Sequence, residues 1–346
     1  MSRLFRTTLI TLILMLLSAC QPAATSEGDT NTEPATTGEE TTTEPAVSAD
    51  DTATETVASA NDTRTVTDAR GQEITVPANP ERVVVLSEQD LDAALALDAS
   101  VVGTVNGRGQ QTPPLYLGKQ VEGITSVGSL AEPSLEAIVG LEPDVILIGG
   151  IFPAIEGLLP QLAEIAPTVI TYAFEDDWKT AFRGTAQALN REEQAEAWLA
   201  DYETQVQETE QLLGTNAASE ISIVRWNPDG PVVMTPESFG GLVVSDVGLT
   251  RPEAQQIERW QGHYHSESLS LEQLDLIDGD WLFLSTLNPD GEQAMNDAMG
   301  NQLFQQLNAV GNESVSVVDG TVWTSRGGPL AALIVLEDIA EELGES

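Results

Sequence analysis

Apolar residues are distributed along the chain in three regimes, and each predicts a different kind of structure. Residues 9–17 form one apolar run broken only by Thr11, and residues 21–63 contain almost nothing large and apolar. From Arg64 onward, short runs rich in Val and Ile alternate with helical segments, at 83–86, 101–104, 145–148 and 169–171 and then, after a gap, at 221–224, 281–284 and 315–318. Continuous apolar runs mark strands buried on both faces, as in a parallel sheet covered by helices, whereas a half-solvated strand alternates. The chain therefore reads as α/β, and the gap divides it into two α/β units. The gap itself, residues 191–213, is rich in Glu, Gln and Ala, lacks Gly and Pro, and stops at Gly214. It predicts a helix of about 23 residues, roughly 35 Å long at 1.5 Å per residue. Such a helix is either a rod joining two lobes or a surface helix of one domain.

An internal repeat favours two lobes. Ser134-Leu135-Glu136-Ala137-Ile138 leads into Pro143-Asp144-Val145-Ile146-Leu147-Ile148, and 136 residues later Ser270-Leu271-Glu272-Gln273-Leu274 leads into Gly279-Asp280-Trp281-Leu282-Phe283-Leu284. Each copy reads as an N-capping Ser, a short helix, an Asp turn and a buried strand. The organisation expected is a signal at 1–20, a tether at 21–63, an N-terminal lobe at 64–190, an inter-lobe helix at 191–214 and a C-terminal lobe at 215–346.

The N-terminal regimes give an address. Arg3 and Arg6 precede the apolar run, which ends at Leu17-Ser18-Ala19-Cys20. The run is shorter than the 20 or so residues that span a bilayer, so it reads as an export signal. Cys20 stands where a bacterial lipobox places its cysteine; the resemblance implies cleavage before Cys20 and acylation of its sulfur, which would hold the protein outside the cytoplasm on a membrane, in the periplasm or at the cell surface. Residues 21–63 hold 12 Thr, 10 acids and no Lys or Arg, a composition that cannot bury enough surface to offset ordering entropy.

Composition narrows the chemistry. The 346 residues include 14 Lys plus Arg against 55 Asp plus Glu, a formal charge of −41, and the body from Arg64 keeps 45 acids against 12 bases. That surface excludes nucleic acid, which demands cations, and it serves solubility in a demanding medium or attraction of a cationic partner. One Cys excludes a disulfide framework, a thiolate zinc site and an iron–sulfur cluster.

In the body, Val66-Thr67-Asp68-Ala69-Arg70-Gly71 with Pro80-Glu81-Arg82-Val83-Val84-Val85-Leu86, the two Ser-Leu-Glu modules, and Ile223-Val224-Arg225-Trp226 occur in a telling order. They are followed by Ser238-Phe239-Gly240-Gly241, Gly248-Leu249-Thr250-Arg251-Pro252-Glu253-Ala254-Gln255 and Trp323-Thr324-Ser325-Arg326-Gly327-Gly328-Pro329-Leu330. In order and spacing the chain resembles the substrate-binding lipoproteins of ABC importers for ferric siderophores, the broad family that also binds cobalamin and haem. The resemblance implies two α/β lobes bridged by one long helix, a ligand held in the cleft between them, small hinge motion, and a monomer without a resident cofactor. It also implies that Glu136 and Glu272, third in each Ser-Leu-Glu, salt-bridge to Arg residues of the permease. Two carboxylates on rigid helices at equivalent positions could report lobe orientation to a fixed pair of cations, although Glu in a first helical turn is stabilised by the dipole in any case.

Ligands of open α/β sheets gather beyond the carboxyl ends of strands. That rule singles out Ser87, Glu88, Arg108, Tyr172, Arg225 and Trp226, with Trp260, Tyr264, Trp323 and Arg326 from loops. Guanidinium forks suit the oxygen-rich faces of ferric chelates and aromatic rings cover the rest, a requirement that Arg225 beside Trp226 meets best. Some hydroxamate-binding relatives carry an Arg after the Val-Gly ahead of the first module; Val127-Gly128-Ser129-Leu130-Ala131 has none, leaving Arg108 to supply that charge. Competing readings are cobalamin or haem in the same cleft, the latter with Tyr172, Tyr264 or His263 as axial ligand; a bare-metal binder, for which His263 and His265 are too few; and a lipid-anchored hydrolase, for which no Gly-x-Ser-x-Gly or His-Glu-x-x-His is present. The chain is expected not to be an enzyme.

Overall fold

The computed structural model describes residues 62–345 apart from 152, 258 and 259. The expected signal, the lipidation site Cys20 and the tether as far as residue 61 lie outside the described residues.

Among the described residues the strands form three sheets. β1 (Thr63–Thr67) and β2 (Glu73–Pro77) make an antiparallel hairpin that takes in Thr63, one residue inside the span read as tether. β3 (Val83–Val85), β4 (Val101–Thr104), β5 (Thr125–Ser126), β6 (Val145–Ile148) and β7 (Thr168–Ile170) form a parallel sheet in the order β5-β4-β3-β6-β7. β8 (Ile221–Asn227), β9 (Gly230–Val233), β10 (Trp281–Thr286) and β11 (Val315–Val317) form the second large sheet in the order β11-β10-β8-β9, parallel except where β9 folds back on β8. The continuous apolar runs have the cause inferred for them. Val83, Val85, Val145 and Leu147 enter one core cluster while Val84, Ile146 and Ile148 enter another, so both faces of the sheet are dry.

The repeated modules are closed by the same bonds. Asp144 accepts from the Glu81 and Arg82 amides at 2.7 and 3.1 Å and its own amide donates to the Arg82 carbonyl. Asp280 accepts from the Glu220 amide at 2.9 Å and returns a bond to the Glu220 carbonyl. Each Asp thus pins the start of its strand to the start of the neighbouring one. The helices ahead of them differ: Leu135–Gly140 is an α-helix capped by Ser134, whereas Leu271–Ile277 winds as a 3₁₀ helix in which the Gln273 side chain accepts from the Ser270 amide.

Two α/β lobes joined by a single long helix result. That helix, Glu192–Leu212, is about 32 Å long. It buries Ala195, Leu199, Tyr202, Val206 and Thr209, a stripe with helical spacing, against helix Trp178–Leu189 of the first lobe and the C-terminal helix Pro329–Leu343. Gly214, at φ +51°, takes the left-handed conformation just beyond it, which other residues adopt at a cost. The lobes also touch directly. Asp92, in helix Glu88–Ala96, is fully buried and accepts from the Leu330 and Ala331 amides at 2.7 and 3.0 Å, in the first turn of the C-terminal helix, and from the Tyr116 hydroxyl at 2.8 Å. One apolar cluster runs through both lobes, from Val83 and Trp178 to Ile223, Phe283 and Val335. No helix among the described residues is long and apolar enough to cross a membrane.

Candidate functional site

A cavity of about 360 Å³ lies between the lobes. The first lobe contributes Gln89, Arg108 and the turn 174–178; the second contributes Arg225, the start of helix Phe239–Asp246, the loop 263–265 and residues 324–327. The first-lobe residues follow the carboxyl ends of β3, β4 and β7, where open sheets collect ligands.

Arg225 lies inside β8, which continues to Asn227 rather than ending at Val224. Successive residues of a strand face opposite ways. Arg225, on the side of Ile221 and Ile223, therefore lines the cavity, and Trp226, on the side of Val224, packs into the other core against Phe304 at 6.3 Å. The expected Arg225–Trp226 pair cannot both face the ligand. Arg225 is 5% exposed, its Nη1 donates to the Thr324 carbonyl at 3.0 Å, and its Nε has no partner. Burial, and then the nearby Arg108, hold its pKa down to about 10.

Arg108 is exposed on the loop after β4, and its backbone amide donates to the Glu88 carboxylate. The next residue, Gly109, has φ +74°, and a β-carbon there would come within 2.6 Å of the Leu287 carbonyl oxygen, so only glycine lets this loop meet the second lobe. Glu88 also accepts from Ser325 Oγ at 3.0 Å across the lobes, and desolvation raises its pKa. Arg326 reaches the other way: its Nη2 donates to the Phe174 carbonyl at 2.8 Å, and its guanidinium stacks over the rings of Phe174 and Tyr264 at 3.9 and 5.5 Å.

Of the residues singled out in the sequence, Arg108, Arg225, Tyr264 and Arg326 line the cavity. Tyr172 does not: it is buried, its hydroxyl donates to Ser87 Oγ at 3.2 Å, and its ring lies where a side chain on Gly149 would stand. Its phenol is closed off as an axial ligand. Ser87 is likewise internal, in a network with Asp90, Thr171 and Thr185. Trp323 is a core residue, stacked on Phe283 at 4.5 Å with Nε1 donating to Asp338 at 2.7 Å. Trp260 lines a separate small apolar pocket with Ile257, Leu269 and Leu276. Glu136 and Glu272 are both exposed, away from the cavity lining.

His263 and His265, read as an isolated pair, both line the cavity with rings 5.7 Å apart. His265 Nδ1 lies 2.7 Å from the Ser266 carbonyl, which can only accept, so this nitrogen carries the proton; burial, and then the positive neighbours, lower the ring's pKa. No group of three or more metal-ligating side chains occurs among the described residues. Sequence reasoning missed Gln89, Phe174, Trp178 and Phe239. Phe174, two residues past Tyr172, was within reach of the strand-end rule. The other three fall within or beside helices that read as packing.

A family model described as "Periplasmic binding protein" matches residues 83–321. The chain is 31% identical over 277 residues to the probable siderophore-binding lipoprotein YfiY of Bacillus subtilis, covering 78% of this chain and 85% of the relative. It is 30% identical over 271 residues to the achromobactin-binding periplasmic protein of Dickeya dadantii, covering 77% and 87%. The crystal structure of Staphylococcus aureus SirA complexed with staphyloferrin B shares the fold, with a TM-score of 0.70 over 81% of this chain and 98% of that one at 24% identity. Two lobes on a helical rod, a cleft at the strand ends and a family match over well over half of its length identify this chain as a member of the periplasmic binding protein family.

Proposed function

We propose that this chain is the extracytoplasmic, lipid-anchored binding component of an ABC importer, which captures a ferric siderophore in the cavity between its lobes and delivers it to the permease. The observation that carries the reading is the convergence of Arg108, Arg225 and Arg326 on one cavity in a body that holds only 12 basic residues among 45 acids. Guanidinium groups supply forked donors to the oxygen-rich surface of a ferric chelate. The relatives named for siderophore and achromobactin binding support the same ligand class.

Delivery falls to Glu136 and Glu272. Both sit in the first turn of the helix in their module, exposed and outside the cavity. Intrinsic fluorescence of the six tryptophans, titrated with a panel of ferric siderophores, should show a saturable change for at least one. Cells carrying Glu136→Arg with Glu272→Arg should lose uptake of that chelate while the purified variant keeps its affinity. Undiminished uptake would remove the docking role, and a flat titration across the panel would remove the ligand class.

A further inference from the structure

Arg225 is the most deeply buried guanidinium of the cavity. It is nineteen-twentieths buried, spends one nitrogen on the Thr324 carbonyl, and has Nε without a partner. The ion pairs that Lys179 makes with Glu203 and Asp246, and Arg183 with Glu196, do not involve Arg225. Four acids line the cavity, Glu175, Asp176, Asp177 and Glu237, each with interactions of its own. Asp176 accepts from the Ala173 amide at 2.8 Å, Asp177 caps helix Trp178–Leu189 through the Thr180 amide at 2.8 Å, and Glu88 is held by the Arg108 amide and Ser325. What Arg225 does face is a second cation, Arg108, from the opposite lobe, and the pair lowers the pKa of Arg225 further than burial alone. An anion between them would relieve both the desolvation and the repulsion.

The aromatic surface, by contrast, is partly occupied. Trp178 and Phe239 are buried and packed edge to face on each other at 6.4 Å, and Trp178 also packs on Tyr202. The open faces of Phe174 and Tyr264 carry the Arg326 guanidinium. A cavity of about 360 Å³ stands at the small end of ligand sites, which run from about 300 to 1,000 Å³, and leaves little room for the rings of an aromatic chelator.

We propose that Arg225 and Arg108 bind outward-facing carboxylate groups of the chelate, so that the cleft takes a compact ferric hydroxycarboxylate complex of the citrate type in preference to neutral hydroxamate or aromatic catecholate complexes. This deepens the ferric-chelate reading above and rests on it. The full-length protein, titrated by tryptophan fluorescence with ferric citrate, a neutral ferric trihydroxamate and a ferric tris-catecholate, should bind ferric citrate at least tenfold more tightly than the other two. Arg108→Gln, on an exposed loop where folding is not at risk, and Arg225→Lys, which keeps the charge and loses the fork, should each weaken ferric citrate about tenfold or more. A trihydroxamate or tris-catecholate that binds as tightly as ferric citrate overturns the carboxylate class and leaves the ferric-chelate reading standing. Saturable binding by none of the three overturns both, and wild-type affinity for ferric citrate in both folded variants overturns the role of the two guanidinium groups.

Discussion

Arg225 and Trp226 are neighbours in the chain and strangers in the fold, and that separation predicts different consequences for changing each. Trp226 fills the core under the second sheet beside Phe304 and Leu284 and is not among the residues that line the cavity. Trp226→Ala should therefore lower the free energy of unfolding by about 3–5 kcal/mol, the usual cost of truncating a large buried aromatic. Urea denaturation would measure it, and the folded fraction should bind ligand with unaltered affinity; weakened binding at full folding would return Trp226 to the site. The basic half of the site was legible in the sequence because cations are scarce in this chain and strand ends are where ligands collect. Of the aromatic half only Tyr264 was, since a Trp or Tyr beside a strand end is equally a core residue. Only the two-residue period of β8, which runs three positions past its apolar stretch, decides which face Trp226 takes. The buried acids of Glu88-Gln89-Asp90-Leu91-Asp92 were equally hidden. Their alternation looks like a solvated helix face, yet Glu88 and Asp92, one turn apart, both bond the second lobe while Asp90 points into the first.

At the scale of elements, the strands buried on both faces were legible because burial on both sides forces a continuous apolar run. The hairpin β1–β2 and the antiparallel β9 escaped, being short strands without such a run. The repeat was legible as a pattern, and its physical content proves to be a bond. Asp144 and Asp280 each clamp one strand start to the next, with their side chains accepting from backbone amides and their own amides returning the contact. Asp144→Ala and Asp280→Ala should each cost about 1–2 kcal/mol in chemical denaturation, the penalty for orphaning backbone donors at a partly solvated site. Asp144→Asn and Asp280→Asn, which keep an acceptor oxygen, should recover part of that loss. Equal loss from Ala and Asn would show that charge, rather than the bond, holds the strand starts. The departure from exact repetition, an α-helix in one copy and a 3₁₀ turn in the other, arises between two caps that both begin with Ser, so the cap alone does not choose the helix type.

For the molecule as a whole, one apolar cluster spans both lobes and the rod packs on helices from each, so a ligand meets two halves already fastened together. The fastening also carries a cost that depends on pH. Asp92 caps the C-terminal helix from the other lobe, which suits a carboxylate at a helix N-terminus, yet its complete burial raises its pKa from 3.8 to about 6, and burial raises those of Glu88 and Asp90 as well. In the unfolded chain these acids titrate near 4. Between pH 4 and 6 the folded protein therefore holds a proton on Asp92 that the unfolded chain has released, and stability must fall as pH rises through that window. Above it the loss levels off at about 3 kcal/mol for Asp92 alone. Mutual repulsion in a body with 45 acids and 12 bases acts in the same direction as its carboxylates ionise. His265 opposes it, because its lowered pKa costs stability as pH falls below about 6.5. So do Glu196, Glu272 and Glu345, whose carboxyls are held down by hydrogen bonds. Those three are exposed and screened by solvent, whereas Glu88, Asp90, Asp92 and Asp338 are raised by desolvation. Scanning calorimetry should thus give a higher Tm at pH 5 than at pH 8. Asp92→Asn removes the titrating group; its oxygen can accept from the Leu330 amide and its nitrogen donate to the Tyr116 hydroxyl, at the loss of the Ala331 bond, and it should shrink the difference in Tm between pH 5 and pH 8. A wild-type Tm that falls from pH 8 to pH 5, or an Asp92→Asn profile parallel to wild type, would mean that the buried cap is ionised without penalty and that the lobes are fastened by the shared apolar core alone.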